Sequence, residues 1–179
     1  MRKVKSVYKY IIGLLVLVVF LQCEGNDKEN DIEIQVNNTT TQKITANDIS
    51  QIKYTEYALS DLAEKSTDDW LKFKLLSTQI INLKNGNLSF FVDDKTILES
   101  FVDGLISEIP ELLNESSILV RISVIKTALY KLDESYAFSS PDKQPIIDNI
   151  KDLLLAYNHL LLQINKRVEK ESRTIAKPK

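Results

Sequence analysis

The side chains able to do chemistry are few and far apart. Cys23 is the only cysteine and His159 the only histidine among 179 residues. A thiol can serve as nucleophile, metal ligand or acceptor of a covalent lipid. A single cysteine forms no intramolecular disulfide, and once Cys23 is acylated no thiolate metal site or cysteine nucleophile remains. His159 would need partners to be a ligand. A di-metal site in a helical bundle carries a Glu three residues before its histidine, and that position is Ala156. The sequence holds no His-Glu-x-x-His zinc motif and no glycine-rich phosphate loop. No serine stands in a nucleophile-elbow context. His159 therefore reads as an exposed or core-edge residue without catalytic duty. No metal or cofactor is expected, and the chain reads as a non-enzyme.

Arg121 is the charged residue in the most apolar setting. It sits within Ile118–Ile125 (ILVRISVI), otherwise apolar except for Ser123. Pointing inward, it needs a carboxylate, because an unpaired buried charge is costly, and it could bind a ligand carboxylate or phosphate bidentately. At the lip of a core it would bury its stem and keep the guanidinium in water. Asp68–Asp69 and Asp93–Asp94 resemble paired carboxylates, yet both stand where helices should begin, so capping and the helix dipole account for them. A calcium loop would need further oxygen ligands at regular spacing. Tyr54, Tyr57, Trp70, Phe73, Phe90 and Phe91 could line an apolar groove, but at helical spacing they fit core packing.

The elements that give Cys23 its context precede it. Arg2, Lys3, Lys5 and Lys9 form a basic start with no acidic residue before Cys23. Positive charge beside an apolar segment is held on the cytoplasmic side. Ile11–Leu21 (IIGLLVLVVFL) follows as eleven uncharged, almost wholly apolar residues. A bilayer core of ~30 Å takes ~20 such residues in a helix, so the run suits a signal-peptide h-region. Cys23 comes directly after it, and Glu24 opens a polar stretch. The pattern resembles bacterial lipoprotein signal peptides. The acidic residues after the Cys are similar, more weakly, to the surface-export signals of Bacteroidota lipoproteins. The resemblance covers the first 23 residues only. It implies a signal peptide over 1–22, a lipid on Cys23, and a chain anchored in a membrane and facing the periplasm or cell exterior. An uncleaved anchor helix over Val7–Gln22, or ordinary secretion, would also put the remainder outside the cytoplasm.

The leader holds four of the 23 basic residues, which leaves 19 against 25 acidic ones, a net charge of −6 past Cys23 with His neutral. That balance argues against nucleic-acid binding and against electrostatic adsorption to anionic lipid, so attachment falls to acyl chains. Glu24–Thr45 is polar, acidic at its start and Asn/Thr-rich at its end. It lacks a sustained apolar period and reads as a flexible linker. Ile32, Ile34 and Val36 alternate, so a short strand there would need a partner.

Past residue 45 the apolar period is helical. A first helix is expected over Asp48–Glu64, capped by Asn47 or Asp48. Ser66 with Asp69 has the form of a capping box for a second, whose Phe73, Leu76, Ile80 and Leu83 share one face. Asn85–Gly86 stops it. Leu88–Val92 (LSFFV) fits a short buried strand or an apolar loop. Asp93 or Asp94 caps a third helix carrying Leu98, Phe101, Leu105 and Ile109, and Pro110 breaks or kinks it. Ile118, Ile122, Ile125, Leu129, Leu132 and Tyr136 then step by 4, 3, 4, 3, 4, as do Ile146, Ile150, Leu153, Tyr157, Leu160 and Ile164. Ile147, Leu154, Leu161 and Val168 recur every seven residues beside the second stripe. Two such stripes favour near-parallel packing at ~20°. Ser139–Asp142 should turn the chain between them, with Asp142 as N-cap and Pro145 at the third helical position. Arg167–Glu171 and Glu169–Arg173 fit exposed pairs four residues apart.

The expected fold is all-α, an antiparallel four- or five-helix bundle over 46–173, following the linker at 23–45 and preceding a disordered tail at 174–179. The expected role is that of a cell-envelope lipoprotein, held to the membrane through Cys23, whose bundle binds an envelope partner protein. The alternative is a carrier or sensor of a small apolar or anionic ligand between helices near Arg121.

Overall fold

The computed structural model describes residues 43–92, 94–138 and 142–173. The expected signal peptide, Cys23, the expected linker as far as residue 42, Asp93, residues 139–141, where a turn is expected, and the expected tail at 174–179 lie outside the described residues. Among the described residues there are seven helices: α1 (Ala46–Ser50), α2 (Asp61–Ser66), α3 (Leu71–Lys84), α4 (Ser89–Val92), α5 (Lys95–Ser107), α6 (Ser116–Ala137) and α7 (Gln144–Ser172), with a 3-10 turn at Glu111–Leu113. Among the described residues there is no strand.

The long helices α3, α5, α6 and α7 form the antiparallel bundle. Trp70 Nε1, at the start of α3, donates to Leu105 O near the end of α5 at 3.0 Å. Asn149 Nδ2 on α7 donates to Lys131 O on α6 at 3.3 Å, and Arg167 near the end of α7 reaches Glu115, just before α6. The stripes do what their spacing implies. Ile118, Ile122, Ile125, Leu129 and Leu132 are fully buried, as are Ile150, Leu153, Leu160 and Ile164. Each such side chain is worth ~1.5–3 kcal/mol of burial. Phe73, Leu76, Ile80 and Leu83 of α3 and Leu98, Phe101 and Leu105 of α5 complete one core. Tyr157 is half-buried and turns its hydroxyl to Ser77 Oγ at 2.9 Å, tying α7 to α3. Tyr136 emerges at the end of α6 instead of joining the core.

Asp94 caps α5, accepting from Thr96 N at 2.7 Å. Gly86 ends α3 with φ +83. A Cβ there would lie 2.8 Å from Ala46 N, so glycine is needed both for the left-handed backbone and for the close approach of α1.

Elsewhere the sequence expectations are corrected. The helix over Asp48–Glu64 is not continuous: α1 stops at Ser50, residues 52–60 run as a non-helical strap, and α2 starts at Asp61. Two α7 asparagines seven residues apart hold the strap. Tyr57 N donates to Asn158 Oδ1 at 2.7 Å. Ser60 N donates to Asn165 Oδ1 at 2.9 Å, and Asn165 Nδ2 returns to Ala58 O at 2.8 Å. These amides supply partners that helical backbone would otherwise have found within itself.

The linker expected over 23–45 does not reach residue 45. Ile44 is buried in the core, and Thr45, not Asn47 or Asp48, caps α1 through a reciprocal box with Asp48. Ser66 and Asp69 form no capping box. Ser66 ends α2, α3 starts only at Leu71, and its uncapped turn is served by Glu108, whose Oε2 accepts from Lys72 N at 3.1 Å. LSFFV is neither strand nor loop but the short helix α4, with Phe91 buried and Phe90 edge-on to both Phe91 and Phe101. Asp142 lies one residue ahead of the cap position of α7, its Oδ1 accepting from Gln144 N at 2.9 Å, so Pro145 is the second helical residue instead of the third. Missing N–H groups are tolerated throughout a first turn. Arg167 is not on an exposed face: only 14% of its side chain is accessible, with Nε 2.7 Å from Glu115 and a terminal nitrogen 2.6 Å from Glu171.

Candidate interaction surface

The charged residues with clearly displaced proton affinities all hold the fold. Hydrogen bonds from the Thr45 hydroxyl and backbone, then Lys143, keep the Asp48 carboxyl below the ordinary aspartate range. The Lys143–Asp48 pair, 3.1 Å apart, fixes α1 to the start of α7. The Tyr54 hydroxyl, then Lys84, lowers Glu56 in the same way. Lys84 Nζ is 2.9 Å from Glu56 and 5.8 Å from the Tyr54 ring centre, so it clamps the strap to α3 by charge and by cation–π attraction. Burial raises the Tyr54 and Tyr157 hydroxyls above the ordinary tyrosine range. A hydrogen bond to Glu171, opposed by burial and helped by Glu115, raises the Arg167 guanidinium further.

Four open clefts are seen among the described residues. The most apolar runs along the outer face of the α6–α7 pair. Val124, Thr127, Ala128 and Lys131 form one wall and Asp152, Leu155, Ala156 and His159 the other, enclosing about 360 Å³. It arises directly from helix geometry. Ile118, Ile122 and Ile125 turn one face of α6 inward, so Val120 and Val124, four residues apart, lie on the opposite face and are exposed. Small buried residues, Ala128 and Ala156, lie between the two walls, and Lys131 and Asp152 contribute a charge of each sign.

A second cleft of about 470 Å³ lies between α1 and α7, lined by Gln51, Ile52, Lys53, Ile147, Asp148 and Lys151 among others. A third, about 410 Å³, sits at the bundle end where the chain emerges at Lys43, and it includes Ile44, Leu88, Val92 and Tyr136. A fourth, about 340 Å³, lies beside Phe90 and Ile97.

The residues singled out from sequence fall in different places. His159 is exposed on a wall of the α6–α7 cleft. Arg121 is half-buried on α6, lines none of these four clefts, and has no recorded ion pair among the described residues. Trp70, Phe73 and Phe91 are buried in the core, while Tyr54 and Phe90 pack partly against it. Trp70 stacks on Phe73 with ring centres 5.1 Å apart. Asp68 pairs with Lys74 at 3.1 Å, and Asp94 is the cap described above. Cys23 lies outside the described residues. Sequence reasoning passed over Asn158 and Asn165. Their signal was two amides seven residues apart beside an apolar stripe, where solvated charges are the commoner choice.

Among the described residues, no group of three or more His, Cys, Asp or Glu is placed to hold a metal ion. No helix among them is long and apolar enough to cross a membrane. No protein-family model, curated protein or solved structure matches the chain.

Proposed function

We propose that this chain is a cell-envelope lipoprotein, attached to a membrane through Cys23 and facing the periplasm or cell exterior, whose helical domain acts by binding a partner protein and not by catalysis. The observation that carries the reading is the placement of the sole cysteine directly behind a basic start and an eleven-residue apolar run. Such a run is the right length for an export signal and short for a span. The binding role draws support from the use of the displaced carboxylates: Asp48 and Glu56 are engaged in a helix cap and ion pairs. The outer face of α6–α7 fits one apolar face of a partner helix, since Val124 on one wall and Leu155 on the other line the cleft, and exposed Val120, one turn before Val124, extends the apolar face along α6.

The test is metabolic labelling with a fatty-acid analogue. The wild type should be tagged and Cys23→Ser should not; equal labelling of both would sink the anchor. For the partner, a photoreactive residue at position 124 of the full chain should give a discrete, saturable crosslink in native membranes that Val120→Asp removes. A crosslink unaffected by that change would move the binding site away from this groove.

A further inference from the structure

We infer that the bundle end bearing Tyr136 and Phe138 rests on the lipid surface, so that the domain stands end-on to the membrane. The inference relies on the anchor at Cys23 proposed above.

Three observations meet at this end. Phe138 follows the last residue of α6 and leaves 72% of its surface exposed; Tyr136, two residues earlier, leaves 41%. A ring left so exposed is unfavourable in water, and an exposed phenol at the same helix end suits the headgroup region, where amphipathic aromatics collect. The chain also emerges here. Tyr136 shares a cleft with Lys43 and Ile44, the first two described residues. Only nineteen residues separate Cys23 from Lys43. Finally, described charges near this end are of both signs: Lys43 lines the cleft with Tyr136, and Lys143 pairs with Asp48 near the start of α7. The contact is therefore apolar and interfacial, suited to zwitterionic lipid, not adsorption to an anionic leaflet.

Two exposed rings are too weak to recruit a free protein. Held by a short linker, however, the tip experiences an effective lipid concentration on the order of millimolar or above, and a weak contact becomes the favoured one. The opposite end offers a control. Leu62 on α2 is 54% exposed and lies beyond Ser60, which is bonded to Asn165 far along α7. In the inferred pose it points away from the bilayer.

The experiment uses the full lipidated chain in phosphatidylcholine vesicles, with and without bromine on the acyl chains. Phe138→Trp and Leu62→Trp each add one indole to the fully buried Trp70. The Phe138→Trp variant should lose most of its added emission to brominated lipid, while Leu62→Trp should match the wild type. Quenching of neither variant, of both equally, or of Leu62→Trp alone overturns the inference. So does a lipid-free blue shift of the Phe138→Trp emission that grows with protein concentration, which would assign the tip to contact between copies. Flotation of wild type and Cys23→Ser separates the two readings. A wild type that fails to float removes the anchor and this inference together. A wild type that floats with an unquenched Phe138→Trp removes this inference alone.

Discussion

The α6–α7 pair and the strap at 52–60 lie against each other and are built on opposite principles. In the pair, the backbone bonds are made mostly within each helix, and the two helices meet through apolar side chains repeating at steps of three and four. In the strap, Asn158 and Asn165 of α7 hold the backbone across about a hundred residues of sequence, while Tyr57 and Ala58 keep their side chains exposed. The pair is stable mainly by full burial, and the strap by directed hydrogen bonds, the Lys84 clamp and the partial packing of Ile52, Tyr54 and Leu59. A region of the second kind opens first, because local stability follows buried apolar contact.

The largest effects should come from the pair. Leu129→Ala and Leu153→Ala, both at fully buried positions, should each lower unfolding free energy by ~2–5 kcal/mol in urea, against ~0.5 kcal/mol or less for the exposed control Lys166→Ala. Leucine variants that melt like the control would mean that the packing register is wrong.

Next comes the border of the domain. A chain starting at Ala46 loses the buried Ile44 and the Thr45 cap; one starting at Lys43 keeps both. The shorter form should be less stable by about 2–4 kcal/mol, the sum of an aliphatic burial and a cap. Equal melting would return residues 43–45 to the linker.

The strap is probed more gently. Asn158→Ala strands the Tyr57 amide and should cost ~1–3 kcal/mol. Hydrogen exchange should speed at Tyr57 and Ser60 while amides in the middle of α6 stay protected. Uniform acceleration would show that strap and pair open as one unit.

Acid should act on the same side of the comparison. Asp48 and Glu56 titrate below their ordinary values of 3.8 and 4.5 because they are bonded in the folded state. A lowered folded value adds stability that is present above the ordinary value and is lost as pH falls through the folded one. Lowering the pH from 5 to 3 should therefore loosen α1 and the strap before the pair, seen as faster exchange at Ile49 and Tyr57. Charge-neutral variants, Asp48→Asn with Glu56→Gln, should flatten that response.

The same contrast decides what could be read from the chain. The stripes of α6 and α7, the Asp94 cap and the Gly86 stop are local: each depends on residues within one or two turns. The strap was invisible because Ile49, Ile52 and Leu59 carry enough helical spacing to suggest one helix, and what breaks it sits on α7. The Ser66 box failed for a related reason: Trp70 is fixed in the core by its bond to Leu105, and Glu108 from α5 serves the first turn of α3. From sequence alone Arg167 pairs only with Glu171, because Glu115, its second partner, is fifty-two residues away. The α6–α7 groove is half-legible: Val124, with Val120 one turn before it, is apolar and off the core stripe, but the opposite wall depends on how α7 pairs.

The claim on which the functional reading rests concerns Cys23. Intact mass of the chain extracted by detergent from membranes of its own organism tests it directly. The predicted species begins at Cys23 and carries the added mass of acyl chains, and Cys23→Ser yields none of it. A species that retains residues 1–22, or one that begins at or beyond Cys23 without added lipid, contradicts the lipid anchor.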